Sequence, residues 1–319
     1  MLTLDGARDT AQRIVENVER VTVGKREAVE LGVIALICRG HVLIEDVPGV
    51  GKTMLARSIA RSIGGTFRRI QFTPDLMPAD ITGTEIIEEN RSTGARERRF
   101  LEGPLFSNII LADEINRATP KTQSAMLEAM EEGRVTVGDQ SYPLPSPFLV
   151  IATQNPVEYE GTFPLPEAQL DRFLMHVNVG YPDEKSETEI LHLVRTETKQ
   201  RQVEETPPYR LTENDIFAAR RSILELFMAE PIERYIVALT MASREARGEL
   251  GQWLEYGASP RGTIAMDQCA RALAWLERRD FVTPEDVQGI IHDVLRHRLI
   301  LSFDAEAQGV STDDVIDIL

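Results

Sequence analysis

Residues 46–53 read Asp-Val-Pro-Gly-Val-Gly-Lys-Thr, after the apolar run Val-Leu-Ile at 42–44 and before the helical Met-Leu-Ala-Arg at 54–57. A strand, a glycine-rich loop and a helix in this order predict a triphosphate-binding loop, because the loop amides and the helix N-terminus converge on the phosphates. Gly49 and Gly51 let the backbone approach the phosphates without a Cβ in the way. This stretch therefore predicts an α/β fold that binds a nucleotide.

The two residues that end this loop supply its side-chain chemistry. Lys52 has the length to reach the β- and γ-phosphates, and the Thr53 hydroxyl is a ligand for Mg²⁺. The strict loop pattern has glycine where this chain has Asp46, but the Gly-Lys-Thr ending between a strand and a helix outweighs that difference. We expect the nucleotide also to contact the rest of the segment, which comprises Asp46, Pro48, Gly49, Val50, Gly51 and Met54.

A second apolar run ends in two carboxylates. Residues 109–114 read Ile-Ile-Leu-Ala-Asp-Glu, and this length and branching suit a buried parallel strand. We expect Asp113 to hold Mg²⁺, directly or through water. Glu114, the next residue, is expected to orient and deprotonate an attacking water. Adjacent acids at a strand end are usually solvated charge, but together with the loop this pair indicates hydrolysis of ATP or GTP.

Three further polar residues stand at informative points along the chain. Asn155 follows the apolar run at 148–153, Arg172 precedes a strand-like run at 174–179, and Arg261 stands at the start of a helical pattern. Taken singly, each is weak, since Asn155 suits a turn and either arginine suits a surface ion pair. Their order and spacing match the sensor 1, arginine-finger and sensor 2 positions of AAA+ ATPases.

The chain resembles one particular group of these proteins, the MoxR family, which belongs to the helix-2-insert branch of AAA+ ATPases. Asp46 is typical of that family, so the departure from the strict loop pattern supports the resemblance. The resemblance extends over almost the whole chain and is carried by residues 41–53, 103–106, 113–117, 153–156, 170–173 and 259–261.

Strand-like and helical segments alternate as far as residue 180, which predicts a doubly wound parallel sheet. Two other segments, at about 84–101 and about 133–143, contain turn residues between strand-like runs and are predicted to be hairpins. After 180 the pattern is mainly helical. The predicted sheet strands lie near 42–45, 67–72, 109–113, 148–152 and 174–179.

The resemblance implies an AAA+ P-loop ATPase core over residues 1–180 and an α-helical lid domain over 181–319. The hairpins at about 84–101 and about 133–143 then correspond to the helix-2 insert and the pre-sensor-1 hairpin, which face the pore of a ring. The lid is expected to lie over the nucleotide and to turn hydrolysis into rotation of the lid against the core.

The same resemblance implies roles for individual residues. Asn155 and Arg261 are expected to sense the γ-phosphate in their own subunit, whereas Arg172 reaches the site of a neighbouring subunit. Val23 and Gly24 are expected to contact the adenine. The nucleotide is then ATP, and the metal is Mg²⁺.

The implied function is chaperone-like remodelling or activation of protein complexes, such as maturation or the insertion of a metal or cofactor. The implied partners are further copies of the chain in a hexameric ring, a protein client, and a protein with a von Willebrand factor A domain, bound through its metal-dependent adhesion site. Two alternatives remain open. One is the motor subunit of a metal chelatase, and the other is a nucleic-acid-dependent AAA+ motor.

Composition limits these alternatives. The formal net charge of −16 argues against a constitutive duplex-DNA binder, which needs a basic surface. Cys38 and Cys269 are predicted to be buried thiols in a reducing compartment. Residues 1–20 lack a signal-peptide pattern, and the longest apolar run, at 31–38, is far short of a membrane span. We therefore expect a cytoplasmic protein that acts on other proteins.

Overall fold

The computed structural model describes residues 4–19, 25–46, 52–89, 96–155, 161–180, 183–199 and 211–319. None of the helices in these ranges is long and apolar enough to cross a membrane. In the first part of the chain the elements are α1 (Leu4–Glu19), α2 (Arg26–Cys38), β1 (Val42–Asp46), α3 (Lys52–Ser62), β2 (Phe67–Gln71), α4 (Pro78–Thr82), β3 (Gly83–Glu89), β4 (Arg96–Glu102), β5 (Ile109–Asp113), α5 (Pro120–Glu132), β6 (Arg134–Val137), β7 (Gln140–Pro143), β8 (Leu149–Gln154), α6 (Glu167–Leu170) and β9 (Met175–Val179). The elements that follow are α7 (Glu184–Lys199), α8 (Glu213–Leu224), α9 (Glu230–Arg244), α10 (Glu249–Trp253), β10 (Leu254–Tyr256), α11 (Pro260–Leu276), α12 (Pro284–Leu295), β11 (Ile300–Leu301), α13 (Phe303–Ala307) and α14 (Thr312–Ile318).

The central sheet has five parallel strands in the order β2-β5-β8-β1-β9. Asp113 pairs with Gln71 across β5 and β2, and Asp46 pairs with Val179 across β1 and β9. Because all five strands run the same way, their carboxyl ends lie at one edge of the sheet and their amino ends at the other. The doubly wound α/β fold predicted from the sequence is confirmed.

Both faces of the sheet are covered, which explains the continuous apolar runs of its strands. Side chains alternate between the faces along a strand. In β5, Ile109 and Leu111 enter one hydrophobic core, and Ile110 and Ala112 enter the other. The first core lies under α1, α2, α3 and the C-terminal helices, while the second lies under α4, α5 and the hairpins. We refer to the strand ends as the carboxyl edge and the amino edge.

The helices after residue 180 share the first core with the sheet. Trp275 of α11 is fully buried in the same cluster as Ile34 of α2 and Val177 of β9. The Trp275 indole Nε1 also donates to Ser222 Oγ of α8 at 2.9 Å. Residues on both sides of the predicted boundary therefore contribute to one continuous apolar core.

Both predicted hairpins are present next to the second core. In the first hairpin, β3 pairs with β4, and in the second, β6 pairs with β7. The Phe100 ring of the first hairpin stacks on the Tyr142 ring of the second, with centroids 4.0 Å apart and an interplanar angle of 12°. Aromatic stacking of this kind contributes about 0.5–1.5 kcal/mol beyond buried area. The two hairpins are therefore packed against each other.

The end of the chain differs from the helical pattern that the sequence predicts. The helix α12 ends at Leu295, and β11 then pairs with β10 in a short antiparallel sheet. The physical reason is that the next residues face carbonyl groups of the core. His297 Nε2 lies 3.1 Å from the Phe173 carbonyl, and Arg298 Nη2 donates to the same carbonyl at 2.6 Å.

Candidate active site

The ends of β5 and β8 meet at the carboxyl edge. Thr153 Oγ1 donates to Asp113 Oδ1 at 2.9 Å and accepts from the Glu114 backbone N–H at 2.9 Å. One buried hydroxyl thus orients the two consecutive acids that the sequence singled out. Asp113 ends β5 and Glu114 lies just beyond it, so both acids are fixed at the same point of the carboxyl edge.

Asp113 already has a cationic partner in this arrangement. Arg69 of β2 donates through Nε to Asp113 Oδ2 at 2.9 Å. Asp113 and the Thr53 hydroxyl in the first turn of α3 are hard oxygen ligands, which suit Mg²⁺. Among the described residues, no group of three or more His, Cys, Asp or Glu is placed to hold a metal by itself. Mg²⁺ typically takes one or two protein ligands and the oxygens of a phosphate substrate, so this set fits the ion.

Glu114 has an unusual backbone for a residue with a side chain. Its φ and ψ of 57° and 52° are left-handed, a conformation that costs about 1–3 kcal/mol outside glycine and often marks functional sites. Its side-chain atom Oε2 accepts from Gln71 Nε2 at 3.1 Å and lies 3.2 Å from Arg117 Nη1. The Glu114 carboxylate is therefore held at the carboxyl edge from two sides.

Asn155 and the start of α3 lie at the same edge. Gln154 pairs with Glu45 near the end of β1, so Asn155 follows beside the strand that leads into the predicted loop. Lys52 and Thr53 begin α3, and Met54 is exposed on its first turn. The other predicted nucleotide contacts, Val23, Gly24, Pro48, Gly49, Val50, Gly51 and the side chain of Asp46, lie outside the described residues.

A cavity of about 540 Å³ opens next to the end of β1, between α2, β9 and α12. Lys25, which directly follows Val23 and Gly24, lines it and donates through Nζ to the Gly180 carbonyl at 3.1 Å. Burial raises the pKa of the Asp293 carboxyl in its wall to about 6, although the nearby Arg296 opposes this. This cavity is the candidate pocket for the base of the nucleotide.

Arg172 lies at the amino edge of the sheet. It stands two residues before Leu174, whose backbone N–H donates to the His41 carbonyl at 2.8 Å, ahead of both β1 and β9. These strands have five residues each, and at about 3.3 Å per residue the two edges are roughly 13 Å apart. Arg172 is therefore remote from the acid pair of its own subunit.

Arg261 lies beside Arg172. One carboxylate, that of Glu131 at the end of α5, binds Arg172 Nη2 at 3.0 Å and Arg261 Nη2 at 2.7 Å. The γ-phosphate sensing within one subunit that the resemblance implied for Arg261 stays a prediction, and the structure places Arg261 at the amino edge, away from the acid pair. The physical reason is that α11 begins at the amino edge, where Ser259 Oγ donates to Asp171 Oδ2 at 2.9 Å.

Arg298 binds Asp171 from inside the protein, in addition to the contact that Ser259 makes. Its side chain is almost completely buried, and its Nε donates to Asp171 Oδ1 at 2.9 Å. Burial lowers the pKa of the Arg298 guanidinium, an effect that the neighbouring Asp171 carboxylate opposes. Asp171 precedes Arg172, so this buried ion pair fixes the backbone that carries Arg172.

His41 fixes the end of α5 from the other side. Its ring atom Nδ1 accepts from the Val150 backbone N–H at 3.0 Å, so the ring proton is on Nε2, which lies 3.1 Å from the Met130 carbonyl. Burial lowers the pKa of the His41 imidazole to about 4, although the Met130 carbonyl opposes this. The neutral ring thereby places Glu131, the residue after Met130.

A pH dependence of stability follows from His41. The pKa in the unfolded chain is about 6.5, so between pH 6.5 and 4 the unfolded chain binds a proton that the folded protein does not. The contribution of His41 to the free energy of unfolding is therefore complete above pH 6.5 and falls as the pH falls. We expect this contribution to the free energy of unfolding to fall by about 2 kcal/mol between pH 7 and pH 5, as measured by urea denaturation.

The variant His41→Asn is the control, because it removes this titration and leaves the other acids and histidines in place. It is expected to be less stable at pH 7, with a change in stability between pH 7 and pH 5 that is about 2 kcal/mol smaller. Equal pH dependences of the two proteins would refute the assignment of a neutral His41.

Several residues of the site were not predicted from the sequence. Gln71 ends β2, and its contact with Glu114 depends on β2 lying beside β5. That strand order is not visible in the sequence. Glu131 did carry a signal, because α5 has no basic residue in its last turn, while Glu131 and Glu132 both stand there. Acids at a helix C-terminus are unfavourable with the helix dipole, so a cation from elsewhere in the fold was to be expected.

Comparisons with known proteins identify the family of the chain. Residues 41–175 match the family described as "ATPase family associated with various cellular activities (AAA)", and residues 252–319 match the "AAA lid domain". The chain is 44% identical over 315 residues to the chaperone MoxR1 of Mycobacterium tuberculosis, covering 97% of this chain and 80% of that protein. It is 46% identical over 304 residues to the protein YeaC of Bacillus subtilis, covering 95% and 91%. The crystal structure of a candidate ATPase from Cytophaga hutchinsonii superposes with a TM-score of 0.88 at 40% identity, covering 98% of this chain and 93% of that chain.

These likenesses include both the sheet and the helices that follow it. They confirm the family, the fold and the ATPase activity predicted from the sequence. The chain therefore belongs to the MoxR family of AAA ATPases.

Proposed function

We propose that this ATPase hydrolyses ATP at a site shared by two neighbouring subunits and uses the energy to remodel protein complexes. The observation that carries the proposal is the separation of the catalytic parts. The acid pair lies at the carboxyl edge, whereas Arg172 and Arg261 lie together at the amino edge. Arg172 and Arg261 are therefore remote from the acids of their own subunit, where Arg69 and Arg117 already bind the two carboxylates, and they can reach the acids of a neighbour instead.

Within one subunit, each described group has a proposed role at the carboxyl edge. Lys52 binds the β- and γ-phosphates, and Thr53 and Asp113 hold Mg²⁺. When bound, Mg²⁺ neutralises charge on the phosphate oxygens. Asn155, half-buried beside the end of β1, contacts the γ-phosphate or the attacking water.

Glu114 is the proposed general base. Gln71 and Arg117 both bind its Oε2, so Oε1 is the atom that we assign to the proton of the attacking water. Asp113 binds Arg69 and Thr153, whereas Glu114 binds Gln71 and Arg117, so the two acids have separate partners, and we assign one to the metal and one to the proton.

Arg172 and Arg261 are proposed to act on the neighbouring subunit. An arginine that contacts the transferred phosphoryl group stabilises negative charge in the transition state. Two arginines bound to one carboxylate at the surface can approach the same triphosphate from the same side. This proposal replaces the same-subunit role of Arg261 by a role across the interface.

The biological setting belongs to the same proposal. We propose a hexameric ring in the cytoplasm that acts on a protein client together with a von Willebrand factor A domain protein. The net charge of −16 favours a protein partner over nucleic acid, and the name of the relative MoxR1 describes that protein as a chaperone.

Capture of the partner tests this setting. Glu114→Gln should bind ATP without turning it over, so it should retain the working partner during purification with ATP and Mg²⁺. Lys52→Ala, which lacks the phosphate contact, is the matched control and should not retain it. Recovery of a protein with a von Willebrand factor A domain only with Glu114→Gln is the expected result. Retention of nucleic acid alone, or ATP-dependent insertion of a metal into a porphyrin, would favour the two alternative motors.

The tip of the second hairpin gives a further prediction. Replacing residues 138–140 by Gly-Ser-Gly should leave nucleotide binding and ring assembly intact, because an exposed tip contributes little to the core. We expect it to abolish stimulation of the ATPase by the captured partner, since the Phe100–Tyr142 stack links this hairpin to the first one. The same replacement in the exposed segment 306–308 is the control. Unchanged stimulation would show that the hairpin does not contact partner or client.

A further inference from the structure

We infer that Glu131 is a positioning residue, which sets the spacing of Arg172 and Arg261 before they meet the triphosphate of the neighbouring subunit. This inference rests on the proposed shared site. Glu131 Oε2 binds Arg172, and Glu131 Oε1 binds Arg261, each through the Nη2 atom of the arginine. One carboxylate thus joins a residue that precedes β9 to a residue of α11.

The charges of these three residues favour such a role. Two guanidinium groups this close repel each other, and a carboxylate between them removes much of that repulsion. The three side chains together keep one net positive charge. A guanidinium has five N–H donors, and each arginine gives one Nη2 group to Glu131, which leaves other donors for phosphate oxygens.

The three side chains are also accessible. The exposed fractions are 33% for Arg172, 47% for Arg261 and 39% for Glu131. Exposed ion pairs contribute only about 0–1 kcal/mol to stability. The three side chains therefore add little to the stability of the fold and are accessible to a partner at this surface.

The surroundings of Glu131 are rigid. His41 holds the carbonyl of the preceding residue, Met130, and Asp171 is bound by Ser259 and by the buried Arg298. Each of the three charged side chains therefore extends from a backbone that is fixed by a separate contact. The spacing of the two arginines is set in advance, which lowers the cost of ordering them in the transition state.

The variant Glu131→Ala tests the inference, and Glu132→Ala is its matched control one residue along the same helix end. Displacement of a catalytic group by about 1 Å costs on the order of 10²-fold in rate. We therefore expect Glu131→Ala to lower kcat by roughly 10–10²-fold, with the Kd for ATP, ring assembly and thermal stability close to those of the unaltered protein. Glu132→Ala should keep the full rate. Glu131→Gln, which retains one carbonyl oxygen for one arginine, should fall between them.

Subunit mixing separates positioning from damage to the fold. Rings that combine Glu131→Ala with Glu114→Gln contain interfaces in which an intact Glu114 faces an intact Glu131, so they should regain activity. Wild-type or higher kcat for Glu131→Ala, or a loss that mixing does not relieve, would overturn the inference. Mixtures of Arg172→Ala with Glu114→Gln test the shared site without altering Glu131. They therefore distinguish a wrong role for Glu131 from a failure of the proposed shared site.

Discussion

The variant Glu114→Gln is expected to bind ATP as tightly as the unaltered protein and to hydrolyse it at least about 10²-fold more slowly. Glutamine keeps the size of glutamate and its capacity to accept from Gln71, so the geometry of the edge should be preserved. It lacks the basic oxygen that takes the proton of water. The rate of phosphate release at saturating ATP, together with the Kd for a fluorescent ATP analogue, measures the two effects separately.

Two comparisons make this result specific. Gln71→Ala removes one contact of the Glu114 carboxylate but keeps the base, so its loss of rate should be smaller. Lys52→Ala should lose nucleotide affinity instead of kcat. If Glu114→Gln hydrolyses ATP at the unaltered rate, Glu114 is not the base.

The variant Arg172→Ala should also be nearly inactive while still binding ATP. Arginine fingers increase the rate by about 10³–10⁵-fold, which corresponds to roughly 4–7 kcal/mol of the barrier. Arg172 lies at the amino edge, away from the acid pair of its own subunit, so ATP binding within that subunit should be unaffected. The rate of single-turnover hydrolysis and the Kd for ATP, measured on the same preparation, show whether hydrolysis is lost while binding is kept.

The shared site predicts complementation between inactive proteins. Arg172→Ala mixed with Glu114→Gln should regain activity, because some interfaces then combine an intact Glu114 with an intact Arg172 from the neighbour. Specific activity of the unaltered protein should rise with concentration as rings assemble. Specific activity that is independent of assembly, together with mixtures that remain inactive, would count against an arginine supplied by a neighbour.

The carboxyl edge of the sheet was predictable from the sequence because its parts follow from local patterns. A buried parallel strand is a continuous apolar run, and functional residues follow such strands directly. Asp113 and Asn155 were found by this rule, and the strand order then places them at one edge. The backbone strain at Glu114 leaves no such pattern, since it accompanies a hydrogen bond from the Glu114 backbone N–H to Thr153 of the neighbouring strand β8, which is distant in sequence.

The amino edge was predictable only in part. The order of motifs along the chain identified Arg172 and Arg261, but order along the chain does not say at which edge of the sheet a residue lies. The edge is decided by contacts between residues far apart in sequence, such as Glu131 with Arg261 and Asp171 with Ser259. Pairings of this kind depend on how α11 packs on the core, which residue patterns within single elements do not describe.

The buried ion pair between Arg298 and Asp171 has a consequence for how such chains diverge. Loss of one member of a buried pair leaves an uncompensated charge and typically costs about 3–5 kcal/mol, a large share of the stability of a domain. A single substitution at either position is therefore expected to destabilise the protein, although Asp171 lies in the ATPase core and Arg298 lies in the lid, 127 positions later. We therefore expect the core and the lid to change together at this pair. A lid taken from a distant relative would fit this core only if it carried a cationic side chain at the position of Arg298.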